Sequence, residues 1–200
     1  MCVPSGNHDL PRVSLRRDEE DMKVVFAFLF ALPCIPLIYY GDEIGMTYNP
    51  NLSKDGGYNR TGSRTPMQWN DSTNAGFTCG TPWIRVNPNY TEVNAAAAMA
   101  DPDSTFYYFQ KLIRLRKTHP VIVHGRYALL EKDDPALFIY TRTLDDAQLL
   151  VMCNFKEQTR EWAMPAGFAG AQVLISNTGR TQQAEQTITL QPYEALVLLK

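Results

Sequence analysis

His8, Asp9 and Arg12 set an imidazole, a carboxylate and a guanidinium close together in Asn7-His8-Asp9-Leu10-Pro11-Arg12. Such a set can hold a substrate hydroxyl, move a proton or oppose a developing positive charge. Read alone, a His-Asp pair before a proline is also a turn with a capping aspartate. Two further polar islands stand in apolar surroundings. Gly41-Asp42-Glu43-Ile44-Gly45-Met46 puts two acids directly after the apolar run Ile35-Pro36-Leu37-Ile38-Tyr39-Tyr40. Arg64-Thr65-Pro66-Met67-Gln68-Trp69 follows across a loop-like stretch. Asp42 and Glu43 look like an acid/base pair, but neighbours on a strand point to opposite faces and cannot flank one bond together. They read as pocket-wall or loop-anchoring acids.

The elements that must position these islands follow from periodicity. Asp18 is a good N-cap, and Glu19-Glu20-Asp21 suit the positive end of a helix dipole. Met22, Val25, Phe26, Leu29 and Phe30 then recur at helical spacing until Pro33 closes the segment. Ile35–Tyr40 is short and apolar, which predicts a strand covered on both faces, as in a parallel sheet. Helix then parallel strand is half of a βαβ unit. A strand that delivers charged groups at its C-terminal end is how (β/α)8 barrels build active sites. From Thr47 to about Ala100 no period is sustained, so a long ordered loop is expected, with one helical turn at Ala95–Ala98. Its aromatic residues are Tyr48, Tyr58, Trp69, Phe77, Trp83 and Tyr90. Trp69 and Trp83 are expected to be buried and to hold that loop. Asp103 or Ser104 caps a second helix that ends at His119-Pro120, and Phe106-Tyr107-Tyr108-Phe109 is its expected core face. Beyond Pro120 short β runs predict an antiparallel sandwich: Ala136–Thr141, Leu149–Asn154, Gln172–Ser176, Thr187–Leu190 and Glu194–Leu199.

Composition narrows the classes. The chain has 200 residues, 44% hydrophobic and 20% charged, with a formal net charge of -2. That balance gives no case for a nucleic-acid or anionic-membrane partner. The uncharged run Val24–Tyr40 approaches the roughly 18 residues of a membrane span, but Pro33 and Pro36 interrupt it and acids precede it. Cys2, Cys34, Cys79 and Cys153 show neither a disulfide framework nor metal-ligand spacing, so a reduced, cytoplasmic setting is expected, with no metal and no cofactor. His119 and His124 have no sequence partner and read as ordinary structural or surface histidines.

Taken in order, the three islands resemble the α-amylase superfamily, glycoside hydrolase family 13, and most of all its oligo-1,6-glucosidase and α-glucosidase branch. The likeness is densest from Ser5 to about Trp83. It implies that Asn7-His8-Asp9 follows the seventh barrel strand, with Asp9 the third catalytic carboxylate, a transition-state stabiliser. It also implies that His8 and Arg64 bind the terminal sugar and that Arg12, counted with the substrate-binding residues, orients the region. A carboxylate bridging adjacent hydroxyls can hold an oxocarbenium-like ring better than the ground state.

The same resemblance places the nucleophilic aspartate on strand four and the acid/base glutamate on strand five, upstream of residue 7. The expectation is therefore α/β plus all-β. Residues 1–119 would be the C-terminal remnant of a (β/α)8 TIM barrel, and 120–200 an antiparallel β-sandwich domain. The missing N-terminal part of the barrel would be its partner and an oligosaccharide its substrate. The stretch 1–119 should not close a barrel, and apolar faces of Val24–Leu32 and Ile35–Tyr40 should be bare. The parent would be a retaining α-glycosidase and this chain inactive alone. Two alternatives stay open: a transglycosidase or sucrose-phosphorylase-like enzyme of the same fold, and a non-catalytic carbohydrate-binding module.

Overall fold

A computed structural model describes residues 1–15, 17–52, 59–181 and 186–200; Tyr58 lies outside them. The elements that matter here are β1 (Cys2–Pro4), α1 (Glu19–Ala31), β2 (Ile35–Leu37), α2 (Ala95–Ala100), α3 (Thr105–Thr118) and α4 (Pro120–His124). Strands β3 (Arg126–Leu129), β4 (Leu137–Leu144), β5 (Ala147–Asn154), β6 (Arg160–Ala163), β7 (Gln172–Ser176), β8 (Thr187–Leu190) and β9 (Ala195–Leu199) follow. By contacts the chain divides into two compact units. One comprises Met1, Lys23–Ile35 and Lys111–Lys200; the other comprises Cys2–Met22 and Pro36–Gln110.

In the first unit β3-β4-β5-β9-β7 form a five-stranded sheet, antiparallel at every pairing, and β6-β8 a two-stranded one. Alternation along β4 sends Leu137 and Ile139 to one face and Phe138, Tyr140 and Arg142 to the other. Leu137 and Ile139 join Leu150, Met152, Leu196 and Leu198 of the large sheet and Ile188 and Leu190 of the small one in a single apolar core. Trp162 packs against that core, and the arrangement is a sandwich. On the other face Phe138 meets Phe28 of α1 edge-on, with centroids 5.0 Å apart. Arg116 of α3 donates to the carbonyls of Phe30 (2.7 Å), Leu32 (2.9 Å) and Cys34, filling acceptors that the end of α1 leaves open.

In the second unit the caps are as the sequence expects at Asp18, whose Oδ1 accepts from Asp21 N at 2.9 Å. α3 begins after Ser104, but Glu19 supplies the capping oxygen, accepting from Thr105 N (2.9 Å) and Thr105 Oγ1 (2.7 Å). β1 and β2 form a two-stranded sheet. Its hydrogen bonds run from Ile35 N to Met1 O and from Ser5 N to Leu37 O, advancing together as in a parallel pair. Among the described residues nothing before Pro120 extends that pair toward a closed barrel.

Several expectations need correction. Regular pairing in Ile35–Tyr40 stops at Leu37, and Ile35 and Leu37 are 61% and 50% exposed; the strand is bare, as expected of it in this chain alone, and not covered on both faces. A parallel strand is covered only when helices pack on it and strands flank it. The apolar face of Val24–Leu32 is not bare: Val24, Phe26, Ala27, Leu29 and Phe30 are buried. Four consecutive residues sweep round a helix, so of Phe106–Phe109 only Phe109 is fully buried. Pro120–His124 is a helix rather than the start of β structure, because a proline at the first position suits a helix start. β3 and β6 are strands that periodicity did not single out. The long loop contains 3-10 turns at Asn59–Ser63 and Pro88–Thr91 and a turn at Thr73–Gly76 in which Asn74 and Ala75 are left-handed, and its helical turn runs to Ala100. No described helix is long and apolar enough to cross a membrane.

Ile139 is fully buried between the two sheets, so Ile139→Ala leaves a cavity the strands cannot close. Urea denaturation should show a loss of about 2–5 kcal/mol. A loss below about 1 kcal/mol would mean the sheets collapse onto the gap.

Candidate active site

Residues 5–12 leave β1 without regular structure, so their path must be set by side chains. Asp42 does this from below. Its Oδ2 accepts from Ser5 Oγ at 2.6 Å, and its Oδ1 from Arg12 Nη1 at 3.2 Å. Arg12 Nη1 also donates to Tyr40 O at 2.6 Å, and its guanidinium lies over the rings of Tyr39 and Tyr40, 4.8 and 4.7 Å from their centroids. Arg12 and Asp42 are both fully buried. Arg12, grouped with substrate-binding residues on sequence, therefore faces no solvent. Its hydrogen bonds go to the Asp42 carboxylate and the Tyr40 carbonyl, inside the unit. Asp42 is a loop anchor, one of its two expected roles. Burial pushes its carboxyl up from the ordinary value, against the opposing pull of Ser5 and Arg12.

At the tip the loop turns on Asn7, whose Oδ1 accepts from Asp9 N (2.8 Å) and Leu10 N (3.0 Å). That turn leaves the His8 and Asp9 side chains 65% and 51% exposed. Arg64 donates from Nε to His8 O at 2.9 Å and from Nη2 to Asp9 Oδ1 at 3.1 Å. Arg60 Nη1 reaches the same Oδ1 at 3.1 Å, while His8 Nε2 is 3.2 Å from Oδ2. Residues 63–65 are held from behind by Tyr39 Oη to Ser63 O (3.1 Å) and Tyr40 Oη to Thr65 O (2.7 Å). Burial, then the neighbouring Tyr40, pushes Tyr39 up to about 12, so it stays a protonated donor.

The structure thus brings three of the predicted residues together, His8, Asp9 and Arg64, and seats Arg12 beneath them. Sequence reasoning missed Arg60. Its signal was a second arginine four residues before Arg64, in a segment read only as loop. Partial desolvation pushes the Asp9 carboxyl up. The hydrogen bond from Arg60, the charges of His8 and Arg60, and the hydrogen bond from Arg64 outweigh it and hold Asp9 below its ordinary value. Asp9 therefore remains a carboxylate to lower pH than an isolated aspartate. Trp69 and Trp83, expected inside the loop, are 52% and 93% exposed. Backbone ties such as Trp69 N to Ala75 O, and the Asn74 side chain on the Thr78 and Gly80 carbonyls, fix that loop without them. A cavity of about 480 Å³ lined by Ser14, Glu19, Ile44, Asn94 and Ser104 includes none of the cluster. Among the described residues no group of three or more His, Cys, Asp or Glu could hold a metal, and the four cysteines are free thiols.

Residues 2–125 match the family model of the α-amylase catalytic domain, and residues 137–197 that of the C-terminal domain of the α-amylase SusG. The chain belongs to the α-amylase family. Within this family, glycoside hydrolase family 13, it is 41% identical to an oligo-1,6-glucosidase of Parageobacillus thermoglucosidasius, over 96% of this chain and 41% of that protein. It is 35% identical to a trehalose-6-phosphate hydrolase of Bacillus subtilis, over 96% of this chain and 41% of that one. Among solved structures it resembles the trehalose-6-phosphate hydrolase TreA of Bacillus licheniformis (TM-score 0.88, 35% identity, 99% of this chain and 42% of that one). It also resembles the trehalulose synthase MutB (TM-score 0.89, 31% identity, 100% and 43%). These are TIM-barrel enzymes of the family. The chain spans about two-fifths of the length of the curated relatives it matches.

Removing Asp42 leaves a buried guanidinium unpaired. Asp42→Ala should therefore cost about 3–5 kcal/mol in chemical denaturation. A loss under about 1 kcal/mol would show that Tyr39, Tyr40 and the Tyr40 carbonyl suffice to hold Arg12.

Proposed function

We propose that this chain is the C-terminal part of a retaining α-glycosidase that hydrolyses α-glucosidic bonds of oligosaccharides, of the α-glucosidase or oligo-1,6-glucosidase type. Residues 1–119 are then the end of the barrel, from strand seven to helix eight, and 120–200 the C-terminal β-domain. The length of the relatives and the two family-model matches support that division. The observation that carries the functional reading is the exposed Asp9 carboxylate, kept ionised between Arg60, Arg64 and His8.

Glycoside cleavage develops positive charge at the anomeric carbon. Asp9 is the group that opposes it, bridging sugar hydroxyls in the transition state, with His8 and Arg64 donating to the same ring. A preorganised charge costs no reorganisation when the transition state forms. Retention further needs a nucleophile and an acid/base about 5–5.5 Å apart. Asp42 is excluded from either role, since it is buried and both of its oxygens are taken by Ser5 and Arg12. Glu43 is its immediate neighbour in the same 3-10 turn. The missing pair belongs to the N-terminal part of the barrel.

The experiment uses the longer protein and the 200-residue chain side by side on p-nitrophenyl α-glucoside, isomaltose and maltose. The chain alone should show no turnover, and turnover abolished by one substitution within it would overturn the reading. In the longer protein Asp9→Asn should lower kcat about 10²–10³-fold while folding normally. Near-normal turnover would reduce Asp9 to a turn residue. Arg64→Ala should chiefly raise KM for short substrates, since it grips ground and transition states alike; a fall in kcat at constant KM would contradict that.

A further inference from the structure

Two points of the chain meet at Asp42 that no strand pairing among the described residues joins. Ser5 leaves β1, and Arg12 closes the segment that bears His8 and Asp9. Ser5 Oγ is itself fixed, accepting from Tyr39 N at 3.0 Å while donating to Asp42. Asp42 is fixed by its turn. Asp42 N bonds Tyr39 O (3.1 Å), Met46 N bonds Gly41 O (2.9 Å), and Gly41 and Gly45 carry φ of 85° and 73° on either side. One buried carboxylate therefore grips both ends of the 5–12 segment through opposite oxygens, with the tip standing in solvent.

We propose that Asp42 is a positioning residue: its carboxylate clasps Ser5 and Arg12 and so fixes where Asp9 is presented to Arg60, Arg64 and the substrate. The consequence for turnover rests on the glycosidase reading above; the consequence for Asp9 itself does not. With its neck open the loop keeps its tip contacts, Arg64 Nε on His8 O and Ser63 Oγ on Leu10 O, but it gains conformers, and those that shift the Asp9 carboxylate weaken its hydrogen bonds to the two arginines. Misplacement of about 1 Å at a reacting centre can cost 10²-fold in rate. Ser5 belongs to the clasp as much as Asp42 does, and it carries no charge to leave stranded.

Two variants test this, Asp42→Asn and Ser5→Ala. Asp42→Asn keeps the shape but presents an amide donor to one of two donors. Ser5→Ala opens one side and leaves the Asp42–Arg12 pair intact, so it decides the matter if Asp42→Asn fails to fold. In the 200-residue chain, the Asp9 carboxyl carbon is titrated by NMR. Both variants should move Asp9 up toward its ordinary value of 3.8. Glu131, held down by the backbone N–H groups of Asp133 and Asp134, should not move, which separates loop opening from general loosening. An unmoved Asp9 in Ser5→Ala overturns the proposal. In the longer enzyme, Ser5→Ala should lower kcat on p-nitrophenyl α-glucoside about 10–100-fold with KM within about twofold. It should add nothing further on top of Asp9→Asn, because both act through one group. Fully additive losses would overturn it as well. If the wild-type longer protein cleaves no α-glucoside, the glycosidase reading falls and the titration still decides the clasp.

Discussion

A carboxylate and a guanidinium sealed under a loop are the constraint on which this site depends. Taking the Asp42–Arg12 pair out of water is costly, and such a pair persists only where geometry and further hydrogen bonds repay the desolvation. Asp42 meets both conditions; Arg12 meets them in part, since its buried Nε and Nη2 find no hydrogen-bond partner among the described residues. Asp42 has Ser5 on its second oxygen, and Arg12 has the Tyr40 carbonyl and two aromatic faces. The pair therefore specifies one arrangement of three segments, around residues 5, 12 and 40, that apolar packing alone would leave loose. Tyr39 and Tyr40 carry that order on to Ser63 and Thr65. Arg64 lies between those two anchors, so its aim at Asp9 descends from the same buried charge.

Two guanidiniums meet one carboxylate oxygen of Asp9, and in this partly exposed cluster water screens their charges. Enclosed beneath a sugar, as the proposed function would have it, the same contacts would act in a medium of lower dielectric and strengthen.

Local signals made much of the fold legible in the sequence. Asp18 caps α1 as its residue type dictates, and the switch to short β runs beyond Pro120 is real, although a proline-started helical turn intervenes. β3 and β6 escaped notice because each is four residues with little alternation, and each is a strand only because β4 or β8 pairs with it. In the site, His8, Asp9 and Arg64 were legible as motif members. Arg60 was not, because its partner lies 51 residues away and no local pattern encodes that meeting. Arg12 was legible as a residue that orients the region, although it was grouped with the substrate-binding residues. A guanidinium near a catalytic motif suggests ligand contact, and only tertiary structure shows the buried aspartate that claims it.

The tryptophans are exposed against expectation, whereas bare side chains on β2 were expected of this chain alone. Trp69, Trp83, Ile35 and Leu37 are residue types that burial favours, yet all are at least half exposed here. Single exposed apolar residues are ordinary. A parallel two-stranded sheet with bare side chains is not, because parallel strands are normally flanked by strands and covered by helices. The residue types on β2 are those of an inner barrel strand, and the proposed N-terminal barrel segment would supply the strands and helices that such a position requires. Sequence thus read the environment for which β2 is suited, and the 200-residue fold shows how much of that environment the chain provides by itself.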